Sequence, residues 1–146
     1  MSEQLVEVDL RLGEYLVVVY SSTPTGPWVL DGVAARLPEG TPAEQLGVAV
    51  AAALGRSGER DYDLTRDSEP ARPLLDLLHL PDYATFARGT RSVEVYRDSG
   101  TVVVQPRRNE GDGQGFTPID DEARIVSDRS ARRLGEAVIR AFERAT

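Results

Sequence analysis

Few side chains in this sequence have the type and spacing that catalysis or metal binding requires. The chain has one histidine, His79, no cysteine, and 17 basic residues that are all arginine. A thiolate nucleophile, a Schiff-base lysine, a lysine-containing phosphate loop and a zinc site made of several histidines are therefore excluded. His79 lies in a short apolar segment and no G-x-S-x-G motif is present, so we expect a structural, hydrogen-bonded histidine.

Three aspartates, Asp61, Asp63 and Asp67, superficially suggest a calcium-binding loop. An EF-hand loop needs glycine at its sixth position, for a sharp turn, and a bidentate glutamate at its twelfth. Arg66 and Arg72 occupy those two positions, so the pattern fails.

Two further polar segments have simple structural interpretations. Residues 109–115 form a charged loop with three glycines, and glycines this dense favour a tight turn over an ion site. Asp120, Asp121 and Glu122 are adjacent, so their side chains point in different directions and a solvated acidic turn is favoured. Acid-base work by carboxylates that the fold brings together stays open as an alternative.

Composition and charge indicate one soluble domain with a basic partner. The chain has 146 residues, 40% of them hydrophobic, and no apolar run approaches the roughly 20 residues that span a bilayer. The polar, acidic N-terminal residues do not resemble a signal peptide, so we expect a cytoplasmic protein. A net charge of -7 disfavours nucleic acid and anionic membranes as partners and favours a basic protein, but solubility alone also explains a modest negative excess. We expect no cofactor.

A short module occurs twice in the chain, at residues 35–57 and 123–145. The two copies align without a gap at an offset of 88 residues. The identical positions include Ala35, Arg36, Leu46, Gly47, Ala49, Val50, Ala53 and Arg56 in the first copy, and Ala123, Arg124, Leu134, Gly135, Ala137, Val138, Ala141 and Arg144 in the second. Glycine is unfavourable inside a helix, so its presence at the same place in both copies indicates a close approach there.

The first half of the chain predicts strands followed by one helix. Alternating or β-branched residues predict strands at 5–12, 15–20 and 28–30. Thr41, Pro42 and Glu44 have the spacing of a capping box and predict a helix that begins there, with its apolar face at Leu46 and Val50.

The second half repeats this order after a polar insert. Residues 91–106 predict a β-hairpin that turns at Asp98 to Gly100, and residues 116–119 predict a brief strand. Asp128 or Ser130 is expected to cap a final helix. We therefore predict one α+β domain over residues 1–146, with a mainly antiparallel sheet and two amphipathic helices packed on it. The repeat halves lie at about 15–57 and 101–145, and an acidic insert lies at 58–90.

The second half resembles the immunity proteins of bacterial contact-dependent growth inhibition systems. The resemblance rests on the strand at Ser92 to Arg97, the strand TVVVQP from Thr101, the residues Gly115, Phe116, Pro118 and Ile119 after the loop, and Leu134-Gly135 at the start of the final helix. Leu46-Gly47, the variable acidic insert and the aromatic residues Tyr83 and Phe86 fit the same outline.

The resemblance implies a non-enzymatic protein that binds the C-terminal toxin domain of a large secreted effector, often a nuclease, and blocks its active site. It transfers no catalytic residue. An acidic inhibitor would suit the basic, phosphate-binding surface of a nuclease. We therefore expect the insert and the 109–115 loop to face the toxin. The candidate toxin-binding residues are Glu59, Asp61, Asp63, Asp67, Glu69, Glu110 and Asp112. A small carboxylate-based enzyme and a structural or regulatory interaction module are the alternatives.

Overall fold

A computed structural model describes residues 3–61, 69–111, 114–127 and 130–146. Within these residues the chain forms one antiparallel sheet of seven strands and four α-helices, which confirms the predicted α+β class. The elements are β1 (Glu3–Arg11), β2 (Glu14–Ser22), β3 (Trp28–Pro38), α1 (Ala43–Arg56), α2 (Arg72–Leu78), α3 (Tyr83–Ala87), β4 (Arg91–Asp98), β5 (Thr101–Asn109), β6 (Phe116–Pro118), β7 (Arg124–Ser127) and α4 (Ala131–Arg144).

The sheet has the strand order β3-β2-β1-β4-β5-β6, and β7 also pairs with β5. Side chains alternate between its two sides because successive residues of a strand point in opposite directions. We call the side that carries Val6 and Val8 the helix face, because α1 and α4 pack on it. We call the side that carries Leu5, Glu7 and Asp9 the insert face.

The main core lies between the helix face and the two long helices. Leu46 and Val50 of α1 and Leu134 and Val138 of α4 are fully or almost fully buried there against strand residues such as Val95. The amphipathic patterns that predicted these two helices thus identify the faces that pack on the sheet. None of the helices in the described ranges is long and apolar enough to cross a membrane.

The elements of the two halves correspond along the chain. The bounds of β5 are those of β2 plus 87 residues, and the bounds of α4 are those of α1 plus 88 residues. The helix-face residues Tyr15 and Val17 of β2 thereby correspond to Val102 and Val104 of β5, which belong to the same core. One additional residue lies between strand and helix in the second half, where the single strand β3 is replaced by β6, a short 3-10 turn and β7.

Helices α2 and α3 of the insert pack on the insert face against β2 and β3. Leu74 and Leu75 of α2 and Phe86 of α3 form a second core cluster with Leu16 and Val18 of β2. Helix α2 ends at His79, whose backbone is left-handed (φ 57°) and whose side chain is exposed. The sequence predicted a structural histidine whose side chain is hydrogen-bonded. His79 instead caps α2 through its backbone, and no described residue forms a hydrogen bond with its side chain.

Two local predictions were wrong. The capping box at Thr41 does not form, because Thr41 Oγ1 donates instead to the carbonyl of Pro38 at 2.6 Å and α1 begins at Ala43 without a side-chain cap. The third strand is also longer than residues 28–30 and continues to Pro38. The hairpin of β4 and β5 is confirmed, and Ser130 is confirmed as the cap of α4 because its side chain accepts from the amide of Arg133.

Candidate partner-binding surfaces

The predicted toxin-binding residues that the structure describes are all exposed. They are Glu59, Asp61, Glu69 and Glu110. Asp63, Asp67 and Asp112 lie outside the described residues. The described residues do not form one cluster, because they lie at different ends of the sheet.

Residues 58–60 are hydrogen-bonded to the end of β2. Glu59 lies within this segment, and Asp61 follows it directly. The amide of Ser22 donates to the carbonyl of Gly58, and the amide of Arg60 donates to the carbonyl of Ser22, both at 2.8 Å. The Arg60 guanidinium also donates to the carbonyl of Leu30 at 2.8 Å. The segment therefore presents its two carboxylates from an anchored backbone. A shallow depression of ≈ 380 Å³ is lined there by Thr23, Pro24, Glu59, Arg60 and Asp61.

Glu69 lies before α2 in a small exposed ion-pair network. Its carboxylate lies 2.8 Å from the Arg72 guanidinium, and Arg72 also lies 3.5 Å from Asp76. The Glu69 side chain is 46% exposed, so it remains accessible to a partner.

Glu110 lies at the opposite end of the sheet from Glu59. Its carboxylate accepts from the hydroxyl of Thr117, and its amide donates to Gly115, which closes the loop between β5 and β6. Glu3, Asp98 and Thr101 pair in one row at the sheet end where Ser22 lies, whereas Glu110 follows the other end of β5. Nine residues of strand separate Thr101 from Glu110, which corresponds to about 30 Å.

A buried ionic cluster lies on the insert face between the central strands. Glu7 and Asp9 of β1 are 5% and 0% exposed, and Arg107 of β5 pairs with Glu7. Arg107 Nη2 also donates to Ser92 Oγ at 2.6 Å, and its guanidinium lies 3.8 Å from Glu94. The cluster therefore links β1, β4 and β5 across the centre of the sheet.

The charges of this cluster are strongly coupled. Burial raises the pKa of the Asp9 carboxyl well above its usual range, and the neighbouring Glu7 raises it further. Burial disfavours the charged form of Arg107, but the attraction of Glu7 and Asp9 outweighs that cost and raises its pKa. Neither carboxylate oxygen of Asp9 has a partner with hydrogen-bonding geometry among the described residues. A protonated Asp9 beside the Glu7–Arg107 pair accounts for this arrangement.

A groove with a volume of ≈ 430 Å³ lies between β7 and α4. Arginines and glutamates alternate along it, and the Glu122 carboxylate lies 3.8 Å from both Arg124 and Arg144. The groove is therefore of mixed charge, in contrast to the acidic insert.

An apolar row crosses the insert face near the sheet end that carries Ser22. Strand register places Leu5, Tyr96, Val103 and Ile125 side by side on β1, β4, β5 and β7. Ile125 is 78% exposed and the other three are half-buried. This surface was not predicted from the sequence. The sequence did contain a signal of this surface, the run Val102, Val103 and Val104. Val102 and Val104 belong to the core on the helix face, so Val103 presents an apolar side chain on the other face.

The fold is shared with two solved structures. A protein of unknown function from Neisseria meningitidis, NMB0488, has a TM-score of 0.79 and 20% sequence identity, over 99% of this chain and 96% of the other. A chain of the CdiA-CT/CdiI toxin and immunity complex from Yersinia pseudotuberculosis has a TM-score of 0.76 and 16% identity, over 100% of this chain and 99% of the other. No protein family and no curated protein matches the sequence.

Proposed function

We propose that this chain is an immunity protein that binds a cognate toxin domain and neutralises it without catalysis. The observation that carries the proposal is the match over the whole chain to a structure from a CdiA-CT/CdiI toxin and immunity complex. The outline of the second half, which resembles immunity proteins of contact-dependent growth inhibition, agrees with this proposal. At 16% identity the likeness concerns the fold, so the partner has to be found by experiment.

The charge of the chain favours a basic toxin domain. The net charge is -7, and the described insert presents Glu59, Asp61 and Glu69 at exposed positions. Complementary potential speeds association and selects against acidic competitors. Nucleases carry positive charge where the phosphate backbone binds, so a nuclease domain blocked at its active or substrate-binding surface is the toxin we propose.

The carboxylates inside the domain favour binding over catalysis. Glu7 is already paired with Arg107, and Asp9 is completely buried, so neither is available to a substrate from solution in this arrangement. The cluster therefore links strands inside the sheet, and we place the proposed binding function at the surface.

The test first asks whether the gene next to this chain encodes a large secreted protein, and then uses the C-terminal domain of that protein. We expect that domain to co-purify with this chain and to stop inhibiting bacterial growth when both are co-expressed. A domain that inhibits growth, but neither binds this chain nor is neutralised by it, would overturn the proposal.

Charge reversal tests the contribution of the insert. We propose that replacing Asp61, Asp63 and Asp67 together by arginine weakens toxin binding at least tenfold and leaves the melting temperature nearly unchanged. The matched single variants are Asp61→Arg and Asp121→Arg, since Asp121 is equally exposed but lies in the acidic turn beside β5. Unaltered affinity of the triple variant would remove the insert from the interface.

A further inference from the structure

The insert face is covered differently in the two corresponding halves of the sheet. In the first half, Leu16 and Val18 of β2 are buried beneath Leu74, Leu75 and Phe86 of the insert helices. The shift of 87 residues that relates β2 to β5 takes Leu16 to Val103 and Val18 to Gln105. These two positions are half-buried, and no helix in the described part of the chain belongs to a core cluster with them.

The second half nevertheless presents apolar side chains where the first half holds its insert. Val103 lies between Tyr96 on β4 and Ile125 on β7, and Leu5 continues the row on β1. Ile125 is 78% exposed, which is unusual for an isoleucine on a sheet face. A row of adjacent apolar residues that is rimmed by polar groups is typical of a protein-protein interface.

Acidic residues lie on both sides of this row. Glu3 and Asp98 pair in the row beyond Leu5 and Tyr96, and the Tyr96 hydroxyl donates to the Glu3 carboxylate. Glu94 lies on the other side of Tyr96, and its side chain is 36% exposed. The rim thus carries three carboxylates, and within the described residues only Glu94 has an arginine nearby, Arg107 at 3.8 Å.

The anchored insert segment lies at the same end of the sheet. The backbones of Gly58 and Arg60 form hydrogen bonds with the backbone of Ser22, and the Ser57 hydroxyl oxygen accepts a hydrogen bond from the amide of Leu5. Glu59 and Asp61 therefore lie beside Leu5, where the apolar row begins. Four strand spacings separate β2 from β7, which corresponds to about 19 Å. A standard interface of about 800 Å² per partner covers such a span. Glu110, at the opposite end of β5, lies outside it.

The geometry points to this surface as the toxin-docking site. The row Leu5, Tyr96, Val103 and Ile125 forms its apolar centre, and Glu3, Glu94 and Asp98, with Glu59 and Asp61 of the insert, form its acidic rim. The occupant is a basic domain that places an apolar patch over Val103 and Ile125 and arginine or lysine side chains against the rim. The inference rests on the proposed function and specifies where the toxin binds.

The test measures binding of the adjacent-gene toxin domain, in catalytically inactive form, to purified variants of the full chain. Val103→Arg and Ile125→Arg each place a positive charge in the apolar centre. Val48→Arg makes a matched change on the exposed side of α1, where Val48 is 56% exposed. We expect the dissociation constant to rise at least tenfold for the first two variants and less than twofold for Val48→Arg, with circular dichroism spectra unchanged.

The acidic rim has its own readout. Glu94→Gln combined with Asp98→Asn should slow association several-fold at low salt and flatten the dependence of the association rate on ionic strength. Glu39→Gln should leave both quantities unchanged, because Glu39 is exposed in the turn after β3, where its amide donates to the carbonyl of Gly13 at the other end of the sheet.

The outcomes separate the docking site from the proposed function. If the toxin domain binds the wild-type chain and equally well the Ile125→Arg and Val103→Arg variants, the docking site is wrong and the immunity function stands. Equal weakening by Val48→Arg places the interface on the helices and also overturns it. If the growth-inhibiting domain does not bind the wild-type chain, the proposed function itself fails.

Discussion

Gly47 and Gly135 pack backbone against backbone where α1 meets α4. A Cβ atom added to Gly47 would lie 1.7 Å from the carbonyl oxygen of Ala131, and one added to Gly135 would lie 1.8 Å from the carbonyl oxygen of Ala43. These contacts are reciprocal, because Ala43 precedes Gly47 by four residues just as Ala131 precedes Gly135. The two copies of the repeated module therefore meet at the same position of each helix, related by an approximate twofold arrangement.

Replacing Gly47 by alanine should strongly destabilise the domain. The neighbouring atoms belong to the backbone of α4, so the helices must separate to make room for the methyl group. Overpacking of this kind typically costs about 1 to 3 kcal/mol, and the rigid backbone contact places Gly47→Ala at or above the upper end. Urea unfolding monitored by circular dichroism measures the loss.

Gly55 provides the matched control within the same helix. No atom lies within 4 Å of a Cβ added there, and its φ is not positive. Gly55→Ala should therefore stabilise the domain by about 0.5 to 1 kcal/mol through helix propensity. Equal stability of the Gly47→Ala and Gly55→Ala variants would contradict the close contact.

Replacing Arg107 alone should destabilise the domain more than replacing Arg107 and its partner Glu7 together. Arg107→Met leaves Glu7 and Asp9 in the buried cluster without a positive charge, and such a loss typically costs about 3 to 5 kcal/mol. The double variant Glu7→Gln with Arg107→Met removes one charge of each sign and should recover part of that stability. A double-mutant cycle with Glu7→Gln alone measures the coupling, and additive effects would show that the pair is not coupled.

The pH dependence of stability tests the protonation of Asp9. Its pKa is raised in the folded state by burial and by Glu7, so the folded state holds the proton more tightly than the unfolded chain. The free energy of unfolding should consequently decrease as the pH rises above about 4, where an unfolded aspartate ionises, up to the folded pKa. Asp9→Asn should remove this decrease and melt at a higher temperature than the wild type at pH 8. A steeper decrease in the variant would show that Asp9 is ionised when folded.

The sequence predicted the repeated framework better than the local details that complete it. Apolar spacing, together with the expected caps, identified α1 and α4, because helix burial is set by positions such as Leu46 and Leu134 that face one core. The repeated glycines also predicted the close approach that Gly47 and Gly135 make. The capping box failed because Thr41 finds a competing acceptor, the carbonyl of Pro38, in the turn that precedes the helix.

The buried ionic cluster and the surface sites were harder to predict from the sequence. Strand pairing brings their residues together, and composition does not reveal that pairing. Glu7, Asp9 and Arg107 are distant in the sequence, and only the pairing of β1, β4 and β5 places them in one buried cluster. The apolar row of Tyr96, Val103 and Ile125 depends on the same pairing. The sequence showed that the insert is acidic, but it did not show that Glu59 and Glu110 lie at opposite ends of the sheet.

Asp82 should give α3 a pH dependence opposite in sign to that of Asp9. Its side chain caps the helix by accepting from the amide of Thr85 at 2.8 Å and from the Thr85 hydroxyl at 2.7 Å. These hydrogen bonds lower the pKa of Asp82, so its contribution is complete above pH 4 and is lost as the pH falls through the folded pKa. Asp82→Asn retains a capping oxygen and should abolish the loss on acidification, whereas Asp82→Ala should lower stability at neutral pH. Melting temperatures of the three proteins between pH 3 and 7 test this assignment, and identical pH profiles for wild type and Asp82→Asn would contradict it.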